Sequence, residues 1–228
     1  MLGTTVRAAR LVGAAALAAV AAGVLAGCGG APPKAGAAAL VGEERISTAV
    51  LDGAVRDWQS QFRADPVANQ MRADPGNPDQ QLAVETLSES DMRGALNMLV
   101  KIRVADEVAR RNGLAISEGT VDRTVAALDR QGGARSVTLA YGLPARYTRD
   151  LARYLTVQDQ LATRLGADPA DPRGPRTTTA LQGVVDRFVR TAADMDITIN
   201  PRFGSFDPRQ VAIQPVRQRL SATESGTG

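Results

Sequence analysis

The chain has 228 residues, a formal net charge of +3 and no histidine. Without His there is no Ser–His or Cys–His catalysis, no imidazole base and no imidazole metal ligand. The single cysteine, Cys28, excludes an intrachain disulfide and a cysteine-rich zinc site. The charge does not point to nucleic acid either. Arg7 and Arg10 fall in a segment expected to be removed, and the remaining cations and anions nearly balance. Only Lys34 and Lys101 are lysines, a bias that codon composition explains.

Residues 1–27 read as a secretory signal: Arg7 and Arg10 form a basic start, and Leu11 to Leu25 is an Ala-rich run without charge. That run is short for a membrane span. Leu25-Ala26-Gly27-Cys28 matches the bacterial lipobox, which predicts cleavage before Cys28 and acylation of its sulfur. Cys28 is therefore the lipidation site, and the lipid bilayer is the first expected partner. Residues 28–39, rich in Gly, Ala and Pro, read as a flexible tether.

The folded part is expected at 40–208. Leu40-Val41 reads as a short strand and Gly42 as the centre of a turn. Ser47 reads as the cap of a helix running to about Phe62, with Val50, Leu51, Ala54, Val55 and Trp58 on its buried face. Asp65 to Leu87, broken by Pro66, Pro75, Gly76 and Pro78, reads as a long surface loop with room for one short helical turn.

A long helix follows from Ser88, whose spacing to Asp91 resembles a capping box. Met92, Leu96, Leu99, Val100, Val104 and Val108 recur at helical spacing. Arg110 and Arg111 suit the last turn, and Gly113 suits a left-handed end. Ser117 then caps a second helix carrying Val121, Val125 and Leu128, so the pair predicts a helical hairpin. A short amphipathic piece with Val137 and Ala140 comes next. Pro144 opens another helix, lined by Tyr147, Leu151, Leu155, Leu161 and Leu165.

Ala167 to Pro175 is a stiff, Pro-rich linker. The helix after it places Leu181, Val184, Val185, Phe188 and Val189 inward. Ile197-Thr198-Ile199 is the only other convincing strand. It is expected to pair with Leu40-Val41, since unpaired backbone groups in a compact domain are costly. Residues 209–228 read as a flexible tail.

Three blocks of sequence carry a resemblance. Leu99 to Val121 (a leucine-rich helix, a basic pair, Gly, then a Ser-capped helix) is similar to the N-terminal domain of SurA and related extracytoplasmic foldases. Ala39 to Ser47 resembles the opening of such domains, with Val41 where the family has Asn. Asn200 to Pro208 resembles their tail, with Phe203 and Phe206 in place of larger aromatics. The resemblance implies a mainly α, SurA-like helical domain with a small two-stranded β element formed by N- and C-terminal segments. The family's prolyl-isomerase domain has no room here: about ten residues stand at its insertion point, where about ninety would be needed.

The resemblance implies a membrane-anchored, chaperone-like lipoprotein on the outer face of the cell membrane that binds unfolded or secreted polypeptides without prolyl-isomerase activity. Met92, Met98, Phe203 and Phe206 are the candidate peptide contacts, although core filling also accounts for each of them. The alternative is a structural or adaptor lipoprotein that binds one dedicated envelope partner. Neither an enzyme, a cofactor, a metal nor a nucleic-acid partner is expected. Asp106-Glu107 and Asp194/Asp196 show no accompanying base, nucleophile or metal spacing and read as a solvated helix face and a strand-entry turn.

Overall fold

Three alanines with no exposed surface, Ala37 to Ala39, begin the strand on which both ends of the fold converge. The computed structural model describes residues 35–72 and 89–215. Strand β1 (Ala37–Val41) turns at Gly42, φ 58°, into the antiparallel strand β2 (Glu44–Ser47). Its other edge takes β3 (Ile197–Ile199), also antiparallel, with Ala39 opposite Ile199, Leu40 opposite Thr198 and Val41 opposite Ile197. Bonds from Gly42 N–H to the Asp196 carbonyl (2.8 Å) and from Asn200 N–H to the Ala38 carbonyl (2.9 Å) extend that ladder at both ends.

The expected pairing of the two terminal strands is present, in a sheet of three strands rather than two. The tether must also be shortened, because Ala37 to Ala39 belong to the central strand. Their small side chains let the long helix below pack directly on the sheet.

Helix α1 (Thr48–Arg63) is capped by Ser47 Oγ, which accepts from Val50 N–H. It buries Leu51, Ala54, Val55, Trp58 and Phe62, whereas Val50 lies off that stripe and is exposed. Helix α2 (Pro66–Arg72) replaces the first part of the expected loop. Pro66 sits at the first helical position, where its missing N–H costs nothing. Buried Asp65 caps the helix, accepting from Ala68 N–H at 2.9 Å and from Ser136 Oγ at 2.9 Å. The rest of that loop, 73–87, and the expected cap Ser88 lie outside the described residues.

Helix α3 (Glu89–Arg111) is central: Ala95, Leu96, Leu99, Val100, Ile102, Val104, Ala105 and Val108 are all buried. It touches α1, the strands β1 and β5 (Ala212–Gln214), and two later helices, α6 (Thr148–Arg164) and α7 (Pro175–Asp194). Its end is a Schellman turn, with Leu114 N–H on the Ala109 carbonyl at 2.9 Å, Gly113 N–H on the Arg110 carbonyl at 3.2 Å, and Gly113 at φ 59°.

Helix α4 (Glu118–Arg130), capped by Ser117, does not fold back along α3 as a hairpin. It packs on α5 (Ala134–Ala140) and α6 (Thr148–Arg164), around a satellite core of Val121, Leu128, Ala134 and Ala152. One 3-10 turn, Ala145–Tyr147, separates Pro144 from α6. Thr177 Oγ1 fastens the linker to α7 (Pro175–Asp194), accepting from Asp168 N–H at 2.9 Å and donating to the Asp171 carbonyl at 2.8 Å.

After β3 comes a second sheet, the hairpin β4 (Ser205–Asp207) and β5 (Ala212–Gln214), with Phe206 opposite Ile213. Val211 and Ile213 are buried, and Ile213 N–H donates to Asn97 Oδ1 of α3 at 3.1 Å. Residues 209–215 therefore belong to the fold and not to the expected tail, whose remainder, 216–228, lies outside the described residues.

Candidate functional site

On α7 the apolar residues cover more of the surface than the core needs. Val184 and Phe188 are buried as expected, but Leu181 is 50% and Val185 59% exposed. Successive helical residues turn by about 100°, so Leu181 and Val185, four apart, form a strip beside the buried one. That strip borders a groove of about 190 Å³ whose walls come from four parts of the chain: Lys101 of α3, Tyr154 and Gln158 of α6, the Val184–Val189 face of α7, and the β4–β5 turn.

The floor is aromatic. Tyr154 and Phe188 meet edge to face, with centroids 6.1 Å apart and planes at 82°. Gln158 Nε2 donates to Tyr154 Oη at 3.0 Å, which leaves the phenol's own O–H to donate. Burial pushes the Tyr154 pKa up, with Tyr141 adding to the rise and the Gln158 bond opposing it. Val211 closes one end at φ 47°, a left-handed conformation that a β-branched residue adopts only when its surroundings force it. Its buried side chain and the Asn97–Ile213 bond supply that constraint.

Lys101 and Arg209 bring positive charge to the groove, and none of the lining residues is acidic. Among the described residues neither cation forms an ion pair. Burial lowers the Lys101 pKa, because desolvation disfavours the ammonium and no neighbouring carboxylate offsets it.

Of the candidate peptide contacts, Met98 and Phe203 are buried in the core, and Met92 and Phe206 are partly buried against it. None of the four lines the groove. Cys28 lies outside the described residues. Three of the four carboxylates singled out in the sequence have basic partners that come from other parts of the structure as well as from their own helix. Asp106 accepts from Arg153 of α6 at 2.6 Å, Glu107 from Arg110 and Arg111, and Asp194 of α7 from Arg111 at 2.7 Å. Among the described residues no group of three acidic or cysteine side chains is placed to hold a metal ion, and no helix is long and apolar enough to cross a membrane.

Lys101 was legible as one of only two lysines, set between Val100 and Ile102, yet composition alone explained it. The surplus width of the α7 apolar face was the other available signal. No protein family, curated protein or solved structure was found that matches the chain.

Proposed function

We propose that the protein is a lipid-anchored, extracytoplasmic, chaperone-like module that holds unfolded or secreted polypeptide segments and has no prolyl-isomerase activity. The observation that carries this reading is the Leu181–Val185 strip beside the aromatic-floored groove. Apolar side chains left in water at the edge of a cavity are suited to receive the apolar residues of another chain. The basic start, apolar run and lipobox ending at Cys28 support the anchor. Acylation there would keep the module at the membrane face, and durable anchoring needs more than one acyl chain.

The adaptor reading, with one dedicated envelope partner, draws on the small size of the groove, below the ~300 Å³ at which ligand pockets usually begin. Light scattering of chemically denatured clients separates the two. A chaperone-like protein suppresses aggregation of several unrelated clients at near-stoichiometric ratio. An adaptor suppresses none. Mass spectrometry of the native N-terminus tests the anchor: a mature chain that begins elsewhere than Cys28, or an unmodified thiol, overturns it.

A further inference from the structure

Lys101, Arg209 and Tyr154 line the groove, none of the lining residues is acidic, and among the described residues neither cation forms an ion pair. Around them the surface is apolar, formed by Val184, Val185, Phe188 and Val211. We propose that the groove selects polypeptide segments in which large apolar side chains flank an acidic residue, whose carboxylate is held by Lys101 and Arg209. The inference rests on the polypeptide-binding reading above and adds the class of segment bound.

Complementarity of charge and size supports it. A partly desolvated ammonium without an anion is held at a cost, and an incoming carboxylate removes that cost while gaining a charge-assisted hydrogen bond. A cavity of about 190 Å³ takes one large side chain with an acidic neighbour, and further apolar residues of the segment can lie along Leu181 and Val185. A lipid surface fits less well. Interfacial binding uses a long apolar face with a broadly basic rim, whereas the exposed side of α7 mixes Arg176 and Arg190 with Asp186 and Asp194.

The test uses the full-length protein in phosphatidylcholine vesicles and two acetylated, amidated, fluorescein-labelled pentapeptides, Leu-Phe-Glu-Leu-Val and its isostere Leu-Phe-Gln-Leu-Val, followed by anisotropy. The Glu peptide is expected to bind about tenfold more tightly than the Gln peptide. Lys101→Met should remove most of that preference, and Lys101→Arg should retain it. Matching thermal unfolding of the two variants establishes that both are folded. Equal binding of the two peptides to the unaltered protein overturns the acidic preference and leaves polypeptide binding standing. If neither peptide binds while client aggregation is still suppressed, the groove is not the client site. If neither peptide binds and no client is protected, both readings fall. Sodium oleate binding through Lys101 where the Glu peptide does not would assign the cations to a lipid and overturn the proposal.

Discussion

Trp58 Nε1 donates to the carbonyl of Leu139 at 2.7 Å, joining α1 to α5 across 81 positions of the chain. The indole is 2% exposed and stacks on Phe62 with centroids 5.2 Å apart. Trp58→Phe keeps one ring but loses the hydrogen bond and leaves a void where the second ring packed. Gly142 N–H still reaches the same carbonyl at 3.0 Å, so the acceptor is not stranded. The expected loss is about 1.5–3 kcal/mol of stability. Urea unfolding followed by far-UV circular dichroism measures it, since the only tryptophan is then gone. An unchanged midpoint would mean that this contact contributes nothing.

Gly204 holds the second hairpin closed. At φ 129° an added Cβ would lie 2.0 Å from the Gln214 carbonyl oxygen, a backbone atom that cannot move aside without parting β4 from β5. Gly204→Ala should cost at least about 2 kcal/mol, from strain and from loosened burial of Val211 and Ile213. Thermal unfolding reports the loss, and faster tryptic cleavage after Arg209 locates it. A variant that melts and resists trypsin like the parent would show that the hairpin is not held in this way.

The helices were legible where capping chemistry and apolar spacing agreed. Ser47, Ser117 and the Arg110–Gly113 stop all fall where the sequence puts them. The missed elements share a physical cause: their local composition suits a loop, and only distant partners make them structured. Ala37 to Ala39 look like tether, yet small side chains are what a strand beneath α3 requires. The strand β2 buries Ile46 alone, after exposed Glu44 and Arg45 and before half-buried Ser47, too short a pattern to count as alternation. Pro66 reads as a breaker until Asp65 is seen capping the helix it starts. The pairing of Leu40-Val41 with Ile197-Thr198-Ile199 was recoverable because each run needed a partner and no other was offered. The groove was not recoverable, because Lys101, Tyr154, Val185 and Arg209 meet only after four segments have packed.

Glu107 sets a pH dependence. Hydrogen bonds from Arg110, at 2.5 and 2.6 Å, and then from Arg111, at 2.7 Å, lower its pKa from an ordinary 4.5 to about 2. A carboxylate whose folded pKa is depressed adds stability that is complete above the unfolded pKa. That stability disappears as pH falls through the folded value, so the window runs from 4.5 down to about 2. Because Arg110 is largely in water and Arg111 about one-third exposed, the contribution is discounted to about 1 kcal/mol. Glu107→Gln should therefore lower stability at about pH 6 and have much less effect at about pH 2, measured as urea midpoints of variant and parent. A penalty of equal size at both values would mean that the carboxylate's charge is not what matters.

Leu181 and Val185 separate what the α7 face does for folding from what it does for binding. Both are exposed, so replacing them with Gln removes little buried area, and Gln is a good helix former. The double variant Leu181→Gln, Val185→Gln should keep its unfolding free energy within about 0.5 kcal/mol of the parent. Val184→Ala, one position away but only 5% exposed, should lose about 2 kcal/mol through the cavity it leaves. Client protection should follow the opposite order. The double variant should lose most of its ability to suppress light scattering by a denatured client, and Val184→Ala should keep that ability at temperatures where it remains folded. If the double variant protects clients as well as the parent does, the strip is not the binding surface. If it unfolds as readily as Val184→Ala, these side chains belong to the core, and the groove loses the apolar wall on which the functional reading depends.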